Sequence, residues 1–308
     1  MAKYLITGGA GFIGSNLAEA LLGAGHQVRV LDNLSTGNLF NLQHILTSLQ
    51  FHAADITEPE RVQLACEDMD VVIHLAALPS VSFSVKDPLK CHHNNLTGTL
   101  NVLLAARDCD VKRVVLASSS AVYGAAAQLP NREDGLLDVL SPYALTKLAG
   151  ENYARVFHHL YGLETVSLRF FNVFGPRQNP DSEYAGVITR FIDKIRSGEP
   201  PLIFGDGCQT RDFVHVDNVV AAIMAASQVQ ECGSGESINV GTGTSLSVYN
   251  LALLLGELTG QRVRPRFAPA RLGEIRHSRA DIRKARKLLG YRTKISVEQG
   301  LARLVSQY

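Results

Sequence analysis

Two residues four apart, Tyr143 and Lys147, could together make a base. They follow Ser141 and Pro142, which suit a helix start, with Ser141 as N-cap and Pro142 in the first turn. On a helix this spacing puts both side chains on one face. An unperturbed tyrosine titrates near ~10, and bringing it to about 7 takes roughly 4 kcal/mol of differential stabilisation. A close cation in a partly desolvated site supplies that much, and the positive charge of a bound cofactor adds to it. Upstream, Val114 to Leu116 is a short β-branched run expected to form a buried strand, and Ser118, Ser119 and Ser120 follow it. In an open α/β sheet, ligands sit at the carboxyl ends of strands. Alone, each of these features is common in amphipathic helices and loops. The opening of the chain makes them specific.

Tyr4 to Thr7 reads as a strand, Gly8-Gly-Ala-Gly-Phe-Ile-Gly14 follows at once, and an amphipathic helix runs to about Leu22, closed by Gly23 and Gly25. Strand, glycine turn and helix in that order are the setting of a dinucleotide fingerprint. Gly8 and Gly11 let backbone approach a pyrophosphate, Gly14 permits close helix–strand packing, and the helix N-terminus offers free N–H groups and partial positive charge. The next strand, Val28 to Leu31, ends in Asp32. An acid there accepts ribose hydroxyls and repels a 2′-phosphate, which favours NAD over NADP.

The alternation of strands and helices continues. A strand near Phe51 ends at Asp55-Ile56, a helix follows from Pro59 to Cys66, and a strand runs from Val71 to Leu75. Small residues after it, Ala76 and Ala77, let a nucleotide lie close to the sheet. A helix from about Leu89 to Arg107 carries Asn94 and Asn95, and Thr165 to Leu168 is a further strand. The expected fold is α/β: a doubly wound parallel (Rossmann) sheet with a smaller C-terminal α+β substrate lobe. Residues 1–171 form the NAD-binding domain and 172–308 the substrate lobe, with segments near 212–241 returning to the sheet. A chain of 308 residues, 46% hydrophobic and 19% charged, suits that division. Its net charge of +1 provides no field for nucleic acid or membrane surfaces. The five cysteines are dispersed, no metal-ligand spacing occurs, and no apolar run would span a bilayer. A cytoplasmic protein with reduced thiols and no metal is expected.

Taken together, these residues resemble the extended short-chain dehydrogenase/reductase family, and within it the nucleotide-sugar epimerases and dehydratases. The resemblance is carried by Thr7-Gly-Gly-Ala-Gly-Phe-Ile-Gly14, Asp32-Asn33, Asp55-Ile56, Ser119 with Tyr143-x-x-x-Lys147, and Arg211-Asp-Phe-Val-His-Val-Asp217, spread over nearly the whole chain. It implies Tyr143 as general base, Lys147 as its electrostatic partner and ribose ligand, and Ser119, five before Gly124, as donor to the sugar hydroxyl. It implies NAD contacts at Gly8, Gly11, Phe12, Ile13, Gly14, Asp32, Asn33, Asp55, Ile56, Leu75, Ala76, Ala77, Asn94, Tyr143 and Lys147. UDP-sugar contacts follow at Ser80, Ser119, Ser120, Asn172, Phe204, Arg211, Arg271 and Ser278, arginine being suited to bidentate phosphate contact. Relatives of this kind commonly form homodimers through the helices holding Asn101 and Tyr153.

Similar dehydratases carry an Asp-Glu pair directly after the catalytic hydroxyl residue, to eliminate water from a 4-keto sugar. Here those positions are Ser120 and Ala121. The expectation is therefore 4-epimerisation: oxidation at C4, rotation of the ketosugar and hydride return to the other face. Ser278 stands where epimerases restricted to glucose and galactose carry a Tyr, which points to UDP-GlcNAc/UDP-GalNAc with UDP-Glc/UDP-Gal also accepted. A UDP-glucuronate 4-epimerase is the alternative, with Arg177 or Arg190 facing the carboxylate. A non-catalytic NAD sensor is disfavoured because it needs none of Ser119, Tyr143 and Lys147. The basic stretch from Arg262 to Lys294 lacks an aromatic platform for nucleic acid.

Overall fold

A computed structural model describes residues 1–125, 128–178, 186–270 and 275–307. Strands β1 (Lys3–Thr7), β2 (Gln27–Asp32), β3 (Gln50–Ala53), β4 (Val71–His74), β5 (Arg113–Ser119) and β6 (Glu164–Phe170) alternate with helices α1 (Phe12–Gly23), α2 (Pro59–Cys66), α3 (Val81–Lys86), α4 (Pro88–His92), α5 (Gly98–Asp108) and α6 (Pro142–Tyr161). After them come β7 (Asn172–Phe174), α7 (Val187–Arg196), β8 (Leu202–Phe204), β9 (Thr210–Arg211), β10 (Phe213–His215), α8 (Val216–Gln228) and β11 (Ser234–Val240). The chain closes with β12 (Leu246–Ser247), α9 (Val248–Leu258), β13 (Arg266–Ala268), α10 (Arg283–Leu289) and α11 (Val297–Val305).

Seven strands form one parallel sheet in the order β11-β6-β5-β4-β1-β2-β3. The order reverses between β1 and β4, which makes their carboxyl ends the switch point where ligands of such sheets bind. Both faces of the sheet are covered, so its strands are apolar on both sides. Tyr4 and Ile6 of β1 pack with Leu17 and Leu21 of α1 and Val219 of α8, while Leu5 points the other way. There it meets Val62 of α2, Leu103 of α5 and Phe157 of α6. A third apolar cluster lies beyond Phe171, where Phe191 and Ile192 of α7, Leu251 of α9 and Leu301 of α11 pack with Ile203 and Phe213 from short strands.

The structure departs from the sequence expectation in two places near the site. Pairing with β6 continues to Ser119↔Phe170, so Ser118 and Ser119 belong to β5 and do not merely follow it. The helix expected over 89–107 is α4, a π-helical turn (His93–Thr97) and α5 in succession. Such turns frequently mark functional positions. The two asparagines within this one face different ways: Asn94 lines a cavity, whereas Asn95 is buried and holds both backbone groups of Leu78, at 2.7 and 3.1 Å.

Candidate active site

Helix α6 begins as its residues dictate. Ser141 Oγ accepts from the Ala144 amide at 3.1 Å and Pro142 occupies the first turn. The helix runs twenty residues to Gly162, whose φ of 72° closes it. Its inward stripe lies against β5. The Tyr143 hydroxyl is hydrogen-bonded to Ser119, and Lys147 Nζ donates to the Ala117 carbonyl at 2.8 Å. Ser119 Oγ also accepts from the Ala121 amide at 3.1 Å, which opens a 3₁₀ turn, Ser120–Tyr123. The two α6 side chains are largely covered, and the hydroxyl and the ammonium are their most enclosed ends. Burial pushes the Tyr143 phenol above its ordinary value, and the Ser119 hydrogen bond opposes this. Burial lowers Lys147 to about 8, against the upward pull of Cys91 and Glu151.

At the phenol, the depression expected from Lys147 does not outweigh burial. The ammonium lies 5.9 Å from the Tyr143 ring centre and is turned to Ala117, so desolvation dominates. His74, between β1 and α5, bridges Thr7 and Thr99 at 2.8 and 2.9 Å. Burial and the Lys147 ammonium hold it at about 3, so it stays neutral.

At the switch point a cavity of about 670 Å³ is lined by Gly8, Gly11, Phe12, Ile13, Gly14, Asp32, Asn33, Ile56, Leu75, Ala76, Ala77 and Asn94. Its backbone cradle has no room for side chains. Gly8 has φ 72°, and a Cβ there would stand 2.7 Å from the Ala76 amide nitrogen; one on Gly14 would stand 2.3 Å from the Gly8 carbonyl oxygen. Asp32, buried at the end of β2, takes the Ala10 amide on one oxygen at 2.9 Å and the Leu34 amide on the other at 2.8 Å. These donors hold its carboxylate toward the cavity, while burial raises its pKa. The glycine cradle, helix N-terminus and acid fit a dinucleotide with free ribose hydroxyls. Asp55 stands just behind this lining. Its carboxylate holds Asn33 Nδ2 at 2.6 Å and the Thr57 amide at 2.9 Å, so it steadies a lining residue. Tyr143 and Lys147 also stand outside the lining, joined to it through Ala117.

A second cavity, about 540 Å³, is lined by Asn172, Phe204 and Arg211 together with Arg190, Lys194 and Gln209. Adjacent residues of β7, Asn172 and Val173, line the second and first cavities respectively, as strand alternation requires. Arg211 Nη1 donates to the carbonyls of Thr210 at 2.9 Å and Arg276 at 3.3 Å. Ser278 is buried in neither lining, its amide donating to Thr210 at 3.1 Å, next to Arg211. Ser80 is the N-cap of α3, accepting from the Phe83 amide at 3.0 Å. Ser120 opens the 3₁₀ turn. Arg271 lies outside the described residues. Of the two arginines expected to face a sugar carboxylate, Arg177 is ion-paired with Glu19 of α1, bonded to His44 at 3.3 Å, and lines the dinucleotide cavity, whereas Arg190 lines the second.

Sequence reasoning missed Ser35, Thr36, Asn38, Asn41 and Gln178 in the first lining and Lys194 and Gln209 in the second. The Ser-Thr-Gly-Asn run after Leu34 was an available signal, since such residues populate turns at strand ends. Lys194 carried none.

Residues 4–241 match the NAD dependent epimerase/dehydratase family. A UDP-glucose 4-epimerase of Mycolicibacterium smegmatis is 41% identical over 98% of this chain and 97% of its own. The UDP-N-acetylglucosamine 4-epimerase of Methanobrevibacter ruminantium, solved with UDP-N-acetylmuramic acid, superposes with a TM-score of 0.94 at 36% identity, covering 99% and 97% of the two chains. The UDP-glucuronic acid 4-epimerase of Bacillus cereus, solved with UDP-glucuronic acid and NAD, gives 0.91 at 34% identity, covering 99% and 98%. The chain belongs to the NAD-dependent epimerase/dehydratase family, among its NAD-dependent UDP-sugar 4-epimerases, which are isomerases.

Proposed function

We propose that the protein interconverts UDP-GlcNAc and UDP-GalNAc at C4, and UDP-Glc and UDP-Gal as well, through a transient 4-keto sugar. The observation that carries the reading is the Tyr143 hydroxyl facing Ser119 beside a lysine anchored on a residue of the dinucleotide cavity. Tyr143 takes the proton of the sugar 4-hydroxyl and later returns it, while Ser119 donates to the same oxygen. Lys147 supplies a positive charge and a donor to the cofactor ribose. Bound NAD, held by Gly8, Gly11, Gly14 and Asp32, accepts the C4 hydride and gives it back. Where an eliminating enzyme needs an acid and a base, this chain has Ser120 and Ala121 in the 3₁₀ turn, followed by Tyr123, whose hydroxyl is buried, bonded to Asn239 at 2.6 Å and pushed up to about 12. The ketosugar therefore keeps its C6 substituent and turns.

Rotation requires a nucleotide held firmly and a sugar held loosely. Asn172, Phe204 and Arg211 take the UDP, with Arg271 completing the diphosphate contact. Ser80, Ser119, Ser120 and Ser278 face the sugar. Residues 1–171, with the strand returning at Ser234–Val240, hold the cofactor, and the remainder holds the nucleotide sugar. Ser278, buried beside Thr210, supports an acetamido-tolerant wall, and the 36% identical UDP-N-acetylglucosamine 4-epimerase supports the same sugar. The second reading, UDP-glucuronate, rests on Arg190 in the second cavity. A cytoplasmic homodimer joined through the α5 and α6 helices, which carry Asn101 and Tyr153, is the proposed assembly.

The test is to give purified protein UDP-GlcNAc, UDP-Glc and UDP-GlcA separately and look for each C4 epimer by NMR. Epimers of the first two, with no added NADH, are expected. Conversion of UDP-GlcA alone would replace the sugar assignment, and consumption of stoichiometric NADPH would overturn the reaction.

A further inference from the structure

Beneath Lys147 lies a buried ionic cluster that the proton transfer itself does not use. Glu151 is the third residue of the inward α6 stripe, one turn past Lys147 and two past Tyr143. Arg169 of β6 grips its carboxylate with two donors, Nη2 at 2.7 Å and Nε at 2.9 Å. Ser237 of β11 donates at 2.8 Å, and Ser118 of β5 donates to the other oxygen. Glu151 and Arg169 are 5% and 3% exposed at their side chains, so this pair is desolvated. Arg169 is held in turn by the Tyr123 hydroxyl, which it meets at 3.0 Å.

Three residues of the α6 stripe thus meet the carboxyl end of β5: Tyr143 at Ser119, Lys147 at the Ala117 carbonyl, and Glu151 at the Ser118 hydroxyl. A buried ion pair adds little net stability over an apolar pair of equal volume, so specification of register is the better account of it. Lys147 supplies the second argument. Its ammonium is enclosed, and a buried cation sheds its proton unless a negative charge stands near. The titratable and charged groups that bear on it are Tyr143 and Glu151 on its own helix, Cys91 on α4, His74 on β4, and Arg169 behind Glu151. Of these, Cys91 and Glu151 pull Lys147 upward, and Glu151 is the carboxylate seated one turn away on the same helix face.

We propose that Glu151 is a positioning residue for the reaction: clamped by Arg169, Ser118 and Ser237, its carboxylate holds α6 in register on β5 and supplies the negative charge that keeps Lys147 an ammonium. This rests on the reading of Lys147 as the cation of the catalytic pair. Glu151→Gln removes the anion and leaves Arg169 charged, so Lys147 should lose its proton more easily. Arg169→Met does the reverse: it leaves the carboxylate undiluted, so Lys147 should hold its proton longer. Both variants break the same ion pair and both should cost stability. Their effects on Lys147 nevertheless have opposite signs, which a purely structural role does not produce.

The experiment follows two readouts on the NAD-loaded protein between pH 6.5 and 10. One is kcat/KM for the UDP-sugar that turns over. The other is the titration of Lys147 seen by NMR in protein carrying ε-¹³C lysine, its signal assigned by its loss in Lys147→Met. In Glu151→Gln the lysine midpoint and the alkaline limb of the rate profile should fall by about half a pH unit or more; in Arg169→Met both should rise. Ser118→Ala, which deletes a hydrogen bond and no charge, should leave the lysine midpoint in place. Should Glu151→Gln not fold, Arg169→Met alone decides, a rise supporting the assignment and a constant midpoint overturning it. Equal or same-direction shifts in the two variants would also overturn it. A parent protein inactive on all UDP-sugars, with opposite lysine shifts intact, would instead count against the reaction assigned above.

Discussion

Lys147 stands 5.9 Å from the centre of the Tyr143 ring and gives its proton donor to the Ala117 carbonyl at 2.8 Å, on the wall of the dinucleotide cavity. Enclosure therefore pushes the two groups in opposite directions, the phenol up and the ammonium down. Both shifts favour the neutral forms. Catalysis needs the charged pair, so the positive charge of a bound cofactor must add to that of Lys147.

Replacing Tyr143 by Phe keeps the ring and removes the proton acceptor. Turnover should fall by roughly 10²–10⁴ while UDP-sugar affinity, measured by calorimetry, persists. Near-normal turnover would show that some other group takes the proton.

Lys147→Met should slow turnover and move the acidic limb of the rate profile upward. The base is active when deprotonated, and loss of a cation makes the phenol harder to ionise, so higher pH is needed. The alkaline limb assigned to the ammonium, which burial lowers to about 8, should vanish in this variant. A limb that stays would belong to a different group.

Asp32→Ala removes an acceptor for ribose hydroxyls and also frees the Ala10 and Leu34 amides it holds at 2.9 and 2.8 Å. Hydrogen bonds to a charged group contribute about 1.5–3 kcal/mol, so NAD affinity should weaken by roughly 10- to 150-fold. The check is the amount of NAD released when dialysed protein is denatured. Undiminished retention would remove Asp32 from the cofactor contact.

Ser278→Tyr places a ring where a small buried side chain lies against Thr210. Overfilling a packed wall costs about 1–3 kcal/mol, or roughly 5- to 150-fold in the specificity ratio. UDP-GlcNAc epimerisation should drop by that factor with UDP-Glc largely spared. Equal loss on both would mean general damage, and no loss would place Ser278 away from the sugar.

Local chemistry was enough to read the dinucleotide side of the molecule. Gly8, Gly11, Gly14 and Asp32 sit at spacings that only a strand, turn and helix satisfy, because the backbone must approach the phosphates and no Cβ can intervene. The Tyr143–Lys147 face likewise follows from helical period, with Ser141 and Pro142 marking where the helix starts. What the chain order could not reveal is which side chains meet across strands. The pairing of Ser119 with Phe170 draws the serines into β5 and separates their tasks: Ser119 to Tyr143, Ser118 to Glu151, Ser120 to the following turn. The π turn that parts Asn94 from Asn95 is a tertiary matter too, since a hydrophobic pattern does not distinguish five-residue from four-residue hydrogen bonding. Arg177 reads in sequence as a cation for a sugar carboxylate and becomes a partner of Glu19, 158 positions away, only when the chain beyond Phe171 folds back over α1. Residue types and short spacings determined the cofactor and the acid–base pair; long-range packing decided the charge states of that pair, because desolvation depends on neighbours distant in the sequence.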